Sequence, residues 1–293
     1  MMNTRKFTLC LCLLIVTLFF SYSEIVAAPR GKLKAKAAIL MNIDSGSILY
    51  AKNPDKPMQP ASLTKILSLY LVYEAINEGK VHLSDKVKIS TNAQLTGGSS
   101  MYLVDETEAA LEDLIKGMAV VSANDASVAV AEHIGGSVNG FVKMMNAKAR
   151  ELGMKHSHFI NPNGLPAKGQ VSTARDILIL SHAYIRDFPE ALRMHSMQEY
   201  TYRDITQHNN NTLLKQHEDV DGLKTGFVRA SGFHLVATAK RGDTRLIAVV
   251  MGERNPKTRE RETVKLLEQG FRMTGVRGKA SISSKNHSRR IQS

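Results

Sequence analysis

The chain has 293 residues, 43% of them hydrophobic and 23% charged, with a formal net charge of +12 and two cysteines. That balance excludes a disordered polyampholyte and a multi-span membrane protein, and at this length roughly 75% of the unfolded surface can be buried without disulfide staples. Both cysteines, Cys10 and Cys12, lie in one N-terminal apolar run, so a cysteine metal site, redox pair or thiol nucleophile is excluded once that run is removed.

The first element is a leader. Arg5 and Lys6 precede the apolar run Phe7 to Phe20, and the small residues of IVAA at 25–28 precede Pro29. A charged start, a short apolar stretch and a small-residue close mark residues 1–28 as a secretory signal peptide, with cleavage after Ala27 or Ala28. The run is 14 residues long, short of the ~20 that span a bilayer, and Glu24 blocks its extension. An uncleaved anchor is the alternative. No cysteine stands where a lipid would attach. Removing 1–28 takes away two cations and one acid and leaves +11.

Residues 29–276 are expected to form the body of the protein. AAILMNI at 37–43 and SILYA at 47–51 flank Asp44-Ser45-Gly46 and read as a hairpin. From Ala61 to Glu78 apolar residues lie nearly all round a helix that Gly79 stops, so that helix is expected to be buried. A strand-like piece at 86–90 and a Gly/Ser loop at 96–101 follow, then helical patterns at about 107–134, 139–152 and 173–186. After Val220 three apolar runs separated by short breaks read as an antiparallel meander, and a helix at about Lys257 to Phe271 closes the ordered part. Strands at both ends with helices between them predict an α+β fold, an antiparallel sheet built from both chain ends with a helical insert. Residues 277–293 carry Arg277, Lys279, Lys285, Arg289 and Arg290 with no acid, which predicts a disordered basic tail. Export makes nucleic acid an unsuitable partner for it, which leaves a solvated tail or a weak electrostatic tether to the envelope.

The chemistry narrows by elimination. The chain has no GxSxG elbow, HExxH, Walker loop or GxGxxG. Ser62-Leu63-Thr64-Lys65 is its only SxxK, placed in the first turn of the buried helix. Residues three apart share a face, so Lys65 can reach the Ser62 hydroxyl, and burial or a second cation could keep that amine neutral enough to act as a base. Alone, the pair reads better as a helix-start hydroxyl and a surface charge. Ser122-Ala123-Asn124 interrupts an apolar helical run, and Lys224-Thr225-Gly226 lies on the first strand of the meander. Each alone is uninformative: SxN recurs at Ser284-Lys285-Asn286, and a lysine on an edge strand is a common guard against aggregation.

Taken in order, SxxK, SxN and KTG are the signature of penicillin-interacting serine acyl enzymes. With PASLTKIL at 60, GGSSMYL at 97, HFINPNGLP at 158, STARD at 172 and GFHLVATAKRG at 232, the sequence resembles the low-molecular-weight penicillin-binding proteins, the D-alanyl-D-alanine carboxypeptidases of peptidase family S11. The resemblance covers about residues 35–274. It implies the serine β-lactamase/DD-peptidase-like fold and a hydrolase acting on peptidoglycan stem peptides, exported to the periplasm or the outer face of the cytoplasmic membrane, with β-lactams as covalent inhibitors and no metal or organic cofactor. It makes Ser62 the nucleophile, Lys65 its base and Ser122 the proton relay to the leaving amine. Asn124 would hold the substrate backbone, Lys224 and Thr225 would face its terminal carboxylate, Gly226 would leave room along the strand edge, and Arg259 would bind the carboxylate. The backbone N–H groups of Ser62 and Phe227 would form the oxyanion hole.

Two departures bear on specificity. Phe227 replaces the histidine of some well-known carboxypeptidases, and the second β-rich domain and amphipathic anchor of many relatives have no counterpart in the basic tail. A DD-endopeptidase of the same family is therefore an alternative reading. A β-lactamase with fast turnover is not expected, because no E-x-x-x-N occurs in the chain. From a different class, a non-catalytic wall-binding or penicillin-sensing module would keep the cleft without the chemistry.

Overall fold

The computed structural model describes residues 33–276; the expected signal peptide and basic tail lie outside these. In chain order the elements are β1 (Ala37–Asn42), β2 (Ile48–Lys52), a 3₁₀ turn (Ala61–Leu63) running into α1 (Thr64–Asn77), β3 (Lys86–Lys88), α2 (Thr91–Gln94), β4 (Glu108–Ala110) and α3 (Leu111–Lys116). A π-helical turn (Gly117–Val121) leads to α4 (Asn124–Gly135), α5 (Val138–Glu151), α6 (Ala174–Asp187), a 3₁₀ turn (Pro189–Ala191) and α7 (Leu192–His195). Then come β5 (Glu199–Tyr202), β6 (Ile205–His208), α8 (Leu213–Gln216), β7 (Val220–Val228), β8 (Gly232–Arg241), β9 (Thr244–Glu253) and α9 (Pro256–Met273).

The expected α+β architecture is found. Five strands form an antiparallel sheet in the order β2-β1-β9-β8-β7, so the N-terminal hairpin completes a sheet whose other three strands come from the end of the chain. Alternation along each strand feeds two cores. Ala37, Ile39, Ile247, Val249 and Met251 face the helical insert, whereas Ala38, Leu40, Leu246, Ala248 and Val250 meet Leu266, Leu267 and Phe271 of α9. With both faces covered, β9 is a nearly unbroken apolar run rather than an alternating one. Helix α1 is buried on all sides, as its sequence requires.

The run at 107–134 is not one helix. It begins with β4, passes through α3, widens into the π turn and reverses at Ser122, whose φ of +67° is left-handed, before α4 begins. The polar Ser-Ala-Asn triplet makes this break, because its groups bond outside the helical ladder. The two-residue reversal of the β5–β6 hairpin, through Arg203 at φ +50°, carries no glycine and was not readable as a turn.

Candidate active site

The site lies where the free edge of β7, the last strand of the sheet, runs beside the 3₁₀ turn that starts α1. Two glycines allow that approach. A methyl group on Gly226 would stand 3.2 Å from the Ala61 side chain and 3.3 Å from the Pro60 carbonyl. Where the sequence predicted room for a ligand, Gly226 in the first place makes room for the turn that carries Ser62. Gly164 at φ +87° is more constrained, since a Cβ there would run into the Ala61 carbonyl. Ala61 itself is held at φ +51°, a strained conformation for alanine, and Ser62 follows it.

Lys65 is completely buried, not a surface charge. Its ammonium donates to Ser62 Oγ at 3.1 Å, Asn124 Oδ1 at 2.6 Å and the Asn163 carbonyl at 2.6 Å. Burial pushes its pKa well below the ordinary lysine value, and the nearby Lys224 pushes it further in the same direction; Asp125 pulls the other way. The acceptors hold the nitrogen in one place. Asn124 is itself fixed, its Nδ2 donating to the Gly97 carbonyl at 2.7 Å and its backbone N–H to the Ser99 carbonyl at 2.7 Å.

Asp125, next in sequence, is fully buried and gathers the loop on that wall: Ser100 Oγ and the N–H groups of Met101 and Leu103 all donate to its carboxylate. On the sheet side Lys224 is buried and donates to the Thr225 carbonyl at 3.2 Å. Burial, aided by Arg259, lowers its pKa to about 7. Arg259 enters from the first turn of α9, where Asn255 caps the helix and Pro256 fixes its first turn. Its Nη2 donates to the Asn210 carbonyl at 3.2 Å and to Glu260 Oε1 at 2.9 Å, and its buried Nε has no partner among the described residues.

These groups share one open cleft of about 620 Å³. Ser62, Ser122, Asn124, Thr225, Gly226, Phe227 and Arg259 line it, while Lys65 and Lys224 sit behind its wall. All nine residues singled out in the sequence therefore converge. Phe227 is 53% exposed and stacks on Phe233, ring centroids 4.2 Å apart. Residues not singled out also belong to the cleft. Asn163 and Gly164 come from Asn161-Pro162-Asn163-Gly164, a turn signal in which Asn161 Oδ1 accepts the Gly164 N–H at 2.8 Å. His208 ends β6, Asn209 and Asn210 follow it on the connection to α8, and Glu260 follows Arg259.

Behind the turn stands His234, fully buried on β8. Its Nδ1 accepts the Gly252 N–H at 3.0 Å, so the ring proton sits on Nε2, 3.1 Å from the Gln59 carbonyl just ahead of the Ser62 turn. Burial lowers its pKa to about 4, and His195, which donates from Nδ1 to the Leu223 carbonyl at 2.9 Å, is lowered by burial to about 3.

Residues 23–255 match the family model described as D-alanyl-D-alanine carboxypeptidase. The chain is 41% identical over 249 residues to D-alanyl-D-alanine carboxypeptidase DacF of Bacillus subtilis, covering 81% of this chain and 62% of that protein's length. Its fold superposes on penicillin-binding protein 5 of Haemophilus influenzae with a TM-score of 0.81 at 42% identity, over 84% of this chain and 73% of that one. It also superposes on penicillin-binding protein D2 of Listeria monocytogenes in its ampicillin-bound form, with a TM-score of 0.76 at 32% identity, over 83% of this chain and all of that one. With the three motifs gathered at one cleft and this likeness over most of its length, the chain belongs to the D-alanyl-D-alanine carboxypeptidase family, peptidase family S11.

Proposed function

We infer that the protein is a serine DD-peptidase that removes the terminal D-alanine from peptidoglycan stem peptides through an acyl-enzyme on Ser62. The observation that carries this reading is a fully buried amine, Lys65, with a depressed pKa and its nitrogen 3.1 Å from the hydroxyl it must deprotonate. Neutral Lys65 takes the proton of Ser62 Oγ as the oxygen attacks the carbonyl of the penultimate D-alanine. The oxyanion is held by the N–H groups of Ser62 and Phe227. Ser122 passes a proton to the nitrogen of the leaving D-alanine, the C–N bond breaks, and Lys65 recovers its neutral form through that relay. Water then attacks the ester carbonyl with Lys65 as base, and the Ser62 hydroxyl is restored. Lys224, Thr225 and Arg259 receive the terminal carboxylate, and Asn124 aligns the peptide while fixing Lys65.

β-Lactams are expected to acylate the same serine, in keeping with the ampicillin-bound relative. The signal-type N-terminus supports action outside the cytoplasmic membrane, in a periplasm. Among the described residues no helix is long and apolar enough to cross a membrane. The basic residues at 277–293 are proposed to tether the protein weakly to anionic envelope material; a salt-sensitive association lost on deleting 277–293 supports this, and unchanged partitioning refutes it.

The test is a mass-spectrometric digest of pentapeptide monomers and crosslinked dimers, with Ser62→Ala as control. Loss of one alanine from the monomer establishes carboxypeptidase action. Conversion of dimers to monomers establishes an endopeptidase instead, and failure of intact Ser62 to take up a penicillin adduct points to a non-catalytic module.

A further inference from the structure

Among the described residues that line the cleft, Glu260 is the only carboxylate. It lies against Arg259, Oε1 2.9 Å from Nη2, with the two side chains 14% and 5% exposed. Arg259 is otherwise poorly satisfied: it spends one further Nη2 contact on the Asn210 carbonyl, and its buried Nε finds no partner among the described residues. A buried guanidinium with an empty donor is an incomplete anion site. Lys224, close enough to Arg259 for its own pKa to be lowered by it, adds a second cation to the same corner.

We propose that Glu260 is an internal stand-in for the substrate's terminal carboxylate, occupying Arg259 in the free enzyme and giving way when a peptide with a free C-terminus enters. The inference rests on the DD-peptidase reading and deepens it by naming a residue that sets carboxylate selectivity. The geometry favours exchange over a permanent brace. Arg259 and Glu260 are neighbours in sequence at the start of α9, so the pair ties no two elements together and can part without moving either. Because Glu260 is the more exposed partner, it can rotate towards solvent while Arg259 stays anchored by Asn210 and the helix. A competing anion weakens binding of every ligand that needs Arg259, and weakens it more for a free acid than for a neutral end, so the pair acts as a filter on the C-terminus.

The experiment compares wild-type protein, Glu260→Gln and Glu260→Asp on an acylated Lys-D-Ala-D-Ala peptide and on its C-terminal carboxamide. Glu260→Gln is expected to lower KM for the free acid by roughly two- to fivefold, the range of a partly exposed ion pair, and to raise the acid-to-amide ratio of kcat/KM by the same factor. Glu260→Asp, which keeps the charge, is expected to lie closer to wild type. An unchanged or raised KM for the acid overturns the proposal and makes Glu260 a brace that positions Arg259. If wild-type protein hydrolyses neither peptide, the peptidase reading itself fails and the selectivity inference falls with it; hydrolysis with an unmoved ratio sinks only the inference.

Discussion

Lys65 and Lys224 sit in one buried corner, and with both pKa values depressed, their charge state is expected to control activity. Protonated Lys65 cannot accept the Ser62 proton, so kcat/KM is expected to rise with pH as that amine is neutralised. Lys224 is expected to work in the opposite sense: in the proposed role its charge would attract the substrate carboxylate, and that charge is lost as pH rises through about 7 in the free enzyme. The alkaline limb is expected in KM rather than in kcat, because a bound carboxylate holds the proton on Lys224. Lys224→Arg, permanently charged, should remove that limb; a limb that persists assigns it elsewhere. Lys65→Arg keeps the charge and loses the base, and should slow acylation by a fluorescent penicillin by about 10²–10⁴-fold. Ser62, Lys65, Ser122, Asn124, Lys224 and Thr225 were legible because three short motifs, each uninformative alone, occur in one order along the chain and together resemble a known family. Asn163 and Asp125 were not, since one offers only a backbone carbonyl and the other looks like any helix-start acid.

At the scale of elements, the site depends on how closely three segments approach. Gly164→Ala would set a side chain against the Ala61 carbonyl at a left-handed position, a cost of about 2–4 kcal/mol. Thermal unfolding should then shift down by roughly 5–15 °C, with acylation impaired beyond what the lost stability explains; a neutral Gly164→Ala would refute the contact. His234 links β8 and β9 to Gln59 only as a neutral ring. Its folded pKa of about 4 lies below the ~6.5 of a free imidazole, so its contribution is complete above pH ~6.5 and is lost as pH falls towards 4. By pH 5 that amounts to about 2 kcal/mol, and His234→Gln should flatten the acid side of a stability-against-pH curve, read by denaturant unfolding. The hairpin, the buried α1 and the meander followed from periodicity. The π turn did not, because an apolar run with helical spacing looks the same whether its ladder is regular or widened by one residue.

For the whole molecule, the cleft divides a sheet edge from a helical insert, and an acyl group on Ser62 that also reaches β7 bridges the two. Penicillin acylation is expected to raise the unfolding temperature by several degrees, and Ser62→Ala to show no such rise; destabilisation on acylation would mean that the adduct strains the cleft instead. The sheet order was foreseeable only in outline. Strands at both ends imply a joint sheet, but nothing local tells β1 to insert between β2 and β9 rather than beside β7. That insertion has a consequence for a chain made from its N-terminus. Ser62 is synthesised early, yet β1 gains its inner neighbour only when residue 253 is available, and Arg259 follows still later. The nascent polypeptide therefore carries Ser62 for some 190 residues before the strand that completes the sheet is made, and for longer before Arg259, so the full cleft can be assembled only in the last stage of synthesis.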